Sequence, residues 1–209
     1  MLKLAYIVFP LSVVFFSCTG KNDNNSDQAQ KNLGSDIVDS THRNPYSTID
    51  LSPMDMSYFP VNYSQRKMNH DITTLPVMRV IYSRPHKQGR EIFGNLLKYG
   101  ERWRLGANEA SEIEFFKNVT IQGKKVNAGR YVIYCIPYQD KWTIILNNDL
   151  YTWGLEIDST KDLMSFDVPV KKASSDLEYF TMVFEPIPHG AELVMAWADV
   201  EARLPINFD

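Results

Sequence analysis

From Leu51 onward apolar residues return at every second position, and this alternation limits the fold more than any other feature of the chain. Met164, Phe166, Val168 and Val170 alternate with Ser165, Asp167 and Pro169, and Phe180, Met182 and Phe184 with Tyr179, Thr181 and Val183. Ala191, Leu193, Met195 and Trp197 alternate with Glu192, Val194 and Ala196. Successive side chains of a strand point to opposite faces, so each run predicts a strand with one face on a core. Further strands are expected at 54–59, 77–83, 113–116, 119–122, 130–136, 142–146 and 200–206. Gln122-Gly123-Lys124, Asn127-Ala128-Gly129 and the segment after Pro137 carry turn chemistry between them. Residues 92–99 are the sole helical candidate. The fold expected is all-β: an antiparallel two-sheet sandwich or jelly roll of about nine strands, with one short helical segment.

The start of the chain follows another logic. One lysine, Lys3, precedes an almost wholly apolar stretch from Leu4 to Phe16, and the small residue Ser17 stands before Cys18. This is the layout of a secretory signal, too short for a hydrocarbon core of ~30 Å. A cysteine directly after the cleavage point suits lipidation, its sulfur forming the thioether to diacylglycerol. Residues 19–40 are rich in Asn, Asp, Ser, Gln and Lys and cannot bury enough apolar surface to fold. As a tether they would span roughly 25 Å. The expected organisation is a lipoprotein signal peptide over 1–17, a lipidated Cys18 with a flexible tether over 18–50, and a single β-sandwich domain over 51–209. The expected address is the cell envelope, anchored by lipid to the outer membrane on its periplasmic or outer face.

With Cys18 lipidated, Cys135 is the only other cysteine, so no intrachain disulfide is expected. The net charge of −3 leaves no basic domain for nucleic acid. His42, His70, His86 and His189 stand singly, without metal-ligand spacing, and no nucleophile elbow, phosphate loop or dinucleotide fingerprint occurs. No metal and no cofactor are therefore expected, and no residue is assigned a catalytic role.

The densest stretch runs Tyr82-Ser83-Arg84-Pro85, then Gly89-Arg90-Glu91-Ile92-Phe93-Gly94, then Trp103-Arg104-Leu105-Gly106-Ala107-Asn108-Glu109-Ala110. This succession closely resembles the secreted bacterial family known only as domain of unknown function 2911, whose corresponding run reads approximately YSRP, GRxIFG and WRxGANEAT. The likeness continues through residues 126–134, 142–147 and Trp153-Gly154, with Ser111 in place of the usual Thr and Asn127 in place of Pro. It implies one exported β domain and carries no established activity.

Six cations, Arg84, Lys87, Arg90, Lys98, Arg102 and Arg104, crowd this stretch against Glu91 and Glu101, in a chain that is acidic overall. Guanidinium groups offer planar forks of donors to carboxylate, phosphate or sulfate. Arg84, Arg90, Trp103, Arg104, Asn108 and Glu109 are thus candidate ligand-binding residues for an anionic small molecule or a glycan. A salt-bridge network that pins a long loop onto the domain explains the same residue types, since loop backbone must also be paired. Glu112 and Glu114 share one face of a strand and formally offer a pair of carboxylates. Trp142 and Trp197 read as core, whereas Trp103 and Trp153 lie in turn regions and stay open between core and sugar platform. The functional expectation is a non-enzymatic binding or accessory domain. The alternative is a hydrolase of envelope polysaccharide or peptidoglycan fragments, with Glu109 or His86 as general acid or base.

Overall fold

The computed structural model describes residues 50–208. The expected signal peptide, Cys18, His42 and nearly all of the tether lie outside the described residues. The strands are β1 (Met54–Phe59), β2 (Met78–Ser83), β3 (Glu112–Phe115), β4 (Val119–Ile121), β5 (Lys124–Val126), β6 (Gly129–Pro137), β7 (Lys141–Asn147), β8 (Asp162–Ile187) and β9 (Gly190–Asn207). They form one antiparallel sheet of nine strands in the order β1-β2-β3-β6-β7-β8-β9-β4-β5, which does not close.

The expected pair of separate sheets is replaced by this single one, and the reason lies in β8. Its 26 residues pair with β7 at one end, from Asp162 to Pro169, and with β9 at the other, from Val170 to Ile187. The hydrogen-bond ladder therefore passes unbroken from one half to the other. Bulges bend the long strand: from Lys172 to Leu177 β8 advances five residues while β9 advances two, from Val200 to Ala198. The bent sheet brings β1 and β2 over the second half of β8. Tyr82 meets Phe180 edge-on at 5.6 Å, and Ser57 Oγ donates to the Met182 carbonyl at 2.7 Å. Inward side chains from both halves merge into one apolar cluster around Trp142, Trp197, Phe166 and Phe180.

Alternation governs burial where one face is wet. On β3, Ile113 and Phe115 are buried while Glu112 and Glu114 are not. On β6, Val132, Ile133, Tyr134 and Cys135 are all buried, because the outer face is covered too: Val132 and Tyr134 cluster there with Ile145 of β7 and with Ile157 from the segment after it. The expected helix over 92–99 does not form. Gly94 and Gly100 sit at φ 88° and 80°, outside helical space, and the segment folds as consecutive turns with the Gly94 amide on the Leu97 carbonyl at 2.7 Å. The helix that does form, α1 (Tyr63–Met68), buries only Tyr63 and is too short for its periodicity to show.

Candidate functional site

The chain between β2 and β3, residues 84–111, is sewn to the domain at three places. His86 bridges Tyr179, with the Lys87 amide on the Glu178 carbonyl at 2.7 Å. Trp103 exchanges backbone bonds with Cys135 at 2.8 and 2.9 Å, which places it beside β6 above the end of β3. Glu109 bridges Trp153, with the Gly154 amide on the Asn108 carbonyl at 3.0 Å.

Trp103 is core and not platform: it is 5% exposed, stacks on Trp197 at 5.8 Å, and meets Trp142 and Phe180 edge-on. Because the chain is extended there, Arg104 leaves on the other side and lies along Gly154. A β-carbon at Gly154 would stand 2.0 Å from Arg104 Cδ and 2.9 Å from the Asn108 carbonyl oxygen. Only glycine leaves space for the arginine.

Arg104 borders a cavity of about 370 Å³. Arg90, Lys98, Arg102 and Arg104 stand on its wall against one carboxylate, Glu101, with Leu96, Leu97, Trp103 and Trp197 supplying apolar surface. A neighbouring cavity of about 390 Å³ shares Glu101, Arg102, Arg104 and Leu155. Among the described residues the guanidinium of Arg90 binds the Lys87 and His86 carbonyls, and Arg102 binds the Ile157 carbonyl at 2.9 Å. Neither forms an ion pair among the described residues. Arg104 goes further. It is partly buried, its Nε is shielded from water without a hydrogen-bond partner, and it forms no ion pair with the described residues. Burial alone pushes its proton affinity below the usual arginine value. Guanidinium and ammonium groups on one wall offer donors of the kind that oxygen anions accept from.

Of the six residues singled out from sequence, the cavity gathers Arg90, Trp103 and Arg104. Arg84 belongs to the fold: it binds the Phe180 carbonyl, Thr181 Oγ1 and Asp55 at 3.1 to 3.3 Å. Asn108 is a turn residue at φ 60° whose amide donates to Asp50 at 2.9 Å. Glu109 lines a separate cleft. Lys98 and Arg102 carry cations already visible in the sequence cluster; Gly154, Leu155 and Trp197 are brought in from distant positions. Glu112 and Glu114 are each neutralised by a neighbouring strand, through Arg130 at 3.5 Å and Arg79 at 2.7 Å. Cys135 is fully buried, and desolvation raises its thiol far above the ordinary value, so it is an inert core group. No group of metal-ligating side chains occurs among the described residues.

The class of protein so defined is an antiparallel β domain whose longest connection frames a cavity walled by four cations and one carboxylate. The chain belongs to the family described as a protein of unknown function, DUF2911, whose model matches residues 64–206. No curated protein and no solved structure matches it.

Proposed function

We propose that this domain is a non-enzymatic binding or accessory domain of the cell envelope, tethered by lipid at Cys18, and that it holds an anionic ligand in the Arg104 cavity. One observation carries the reading: Arg104 is partly withdrawn from water, and no described residue neutralises it. A buried charge without a partner is costly, and a charged hydrogen bond made to it contributes about 1.5–3 kcal/mol. A ligand carboxylate, phosphate or sulfate would recover that energy, while Leu96, Leu97 and Trp197 would shield its body from water.

The hydrolase alternative needs Glu109 or His86 beside a substrate. His86 packs edge-on against Tyr179 at 4.0 Å, and Glu109 lines a separate cleft whose second carboxylate, Glu112, is already held by Arg130. Binding is the reading that the geometry favours.

The test is thermal unfolding of the full chain in detergent, with sulfate, phosphate, citrate and oligogalacturonate compared against chloride at equal ionic strength. At a hundred times Kd a ligand adds about 2.7 kcal/mol, roughly a 5–10 °C rise in Tm for a domain of this size. The rise should vanish in Arg104→Gln. No shift with any of these anions would overturn the proposal. The anchor is checked separately: Cys18→Ser should abolish incorporation of labelled palmitate and release the chain from membranes.

A further inference from the structure

A second cleft, of about 550 Å³, shares no lining residue with the Arg104 cavity and has a different chemistry. Its surface carries Trp153, Tyr151, Glu109, Glu112 and Arg130. Trp153 is 47% exposed and Tyr151 83%, whereas Trp103, Trp142 and Trp197 are buried. Exposed aromatic rings are usually scattered singly; here two neighbours are held in place. The bridge to Glu109 fixes the backbone of Trp153, and the left-handed φ of 65° turns Tyr151 outward. Arg130 lies 5.8 Å from the Tyr151 ring centre and donates to its hydroxyl at 3.4 Å.

The polar groups around the rings are of both kinds. Arg130 offers donors and is held by Glu112 at 3.5 Å. The exposed carboxylate of Glu109 is an acceptor with no ion pair among the described residues. A hydroxyl both donates and accepts, and a pyranose ring presents several hydroxyls around a flat face of C–H bonds. That combination fits a cleft that offers an exposed indole, a carboxylate and a guanidinium together. A cationic ligand would use Glu109 but be repelled by Arg130. An anionic one would meet Glu109 and Glu112.

We propose that this cleft binds a neutral hexopyranose unit of a glycan, its ring stacked on Trp153 and its hydroxyls shared between Glu109 and Arg130. The assignment uses no residue of the Arg104 cavity and stands or falls independently of it.

Because Trp153 is the one exposed tryptophan among the described residues, acrylamide quenching of intrinsic fluorescence reports on this cleft. The full chain in detergent is titrated with neutral hexasaccharides of α-glucose, β-glucose, β-mannose and N-acetylglucosamine. At least one should protect the exposed fluorescence. Isothermal titration with that glycan should show affinity weakened about tenfold or more in Trp153→Ala and severalfold in Glu109→Gln. Tyr151→Asn, which keeps a residue tolerant of the left-handed backbone, should weaken it too, with circular dichroism unchanged in all three variants. Arg104→Gln should bind the glycan as the parent does. Protection by none of the four sugars overturns the proposal. So does undiminished binding by folded Trp153→Ala, loss of binding in Arg104→Gln, or protection by tetramethylammonium in place of any sugar.

Discussion

Arg84 and Arg104 show how one residue type divides between fold and site. Arg84 has its three donor nitrogens satisfied by a carbonyl, a hydroxyl and a carboxylate, and its plane faces Tyr179 at 5.7 Å. Losing it would strand Asp55 and free the strand end, a structural fault. Arg104 has its Nε unsatisfied and its stem laid over Gly154. Its removal should therefore relieve the anion-free domain. Arg104→Met is expected to raise stability in chloride buffer by about 1 kcal/mol while abolishing any stabilisation by added anions, measured as urea unfolding with and without sulfate. Arg84→Met is expected to destabilise by about 1–3 kcal/mol in both buffers. The sequence placed both arginines in one basic cluster, because charge can be counted along a chain but partners are chosen in space.

At the scale of elements, the long connection behaves as part of the core. Ile92, Trp103 and Leu105 are buried within the main cluster, and Ser111 Oγ binds the Leu105 carbonyl at 2.7 Å. Trp103→Ala should cost about 3–5 kcal/mol, read from urea midpoints. Gly154→Ala forces an atom into space held by Arg104 Cδ and the Asn108 carbonyl. It is expected to destabilise by about 1–3 kcal/mol and to lower affinity for anions in the same preparation, because the arginine must move. The strand pattern was legible for a physical reason: period-two burial is local and marks every strand with a wet face. Its limits are equally physical. The runs at 164–170 and 180–184 proved to be one bulged strand, β8, and those at 191–197 and 200–206 one strand, β9, because a bulge interrupts alternation without ending the ladder. Lys124–Val126 escaped notice, since three residues with one buried side chain leave no pattern.

For the whole molecule, distant parts of the chain must also meet: β1 over β8, β4 against β9, the connection against β6. Such a topology folds slowly, on the order of milliseconds to seconds, because loops must close before contacts form. Two buried phenols make stability depend on alkaline pH. Burial pushes Tyr82 up to about 12, and burial with the adjoining Asp162 carboxylate raises Tyr134 as well. An unfolded phenol ionises near pH ~10, so these groups contribute fully below that value. Their contribution is lost as pH rises towards 12. Unfolding free energy measured from pH 8 to 11.5 should fall above 10, and Tyr82→Phe should flatten the decline; an equal slope in the variant would remove Tyr82 as a cause.

Alternation, turn residues and the family motif run determined by themselves that this chain makes antiparallel strands and carries an arginine-rich connection between two of them. They did so because burial period and turn preference act over a few residues. The tertiary structure alone decided that the strands form one bent sheet rather than two, that Trp103 is core while Trp153 is not, and that Arg104 is half-buried with its Nε unpaired among the described residues. The sheet depends on a strand long enough to pair at both ends, and the placing of Trp103 and Arg104 on groups fifty or more residues apart, as Arg104 meets Gly154 and Trp103 meets Trp197. Pairing at such separations is settled by packing and by which charges find partners, which no local pattern records.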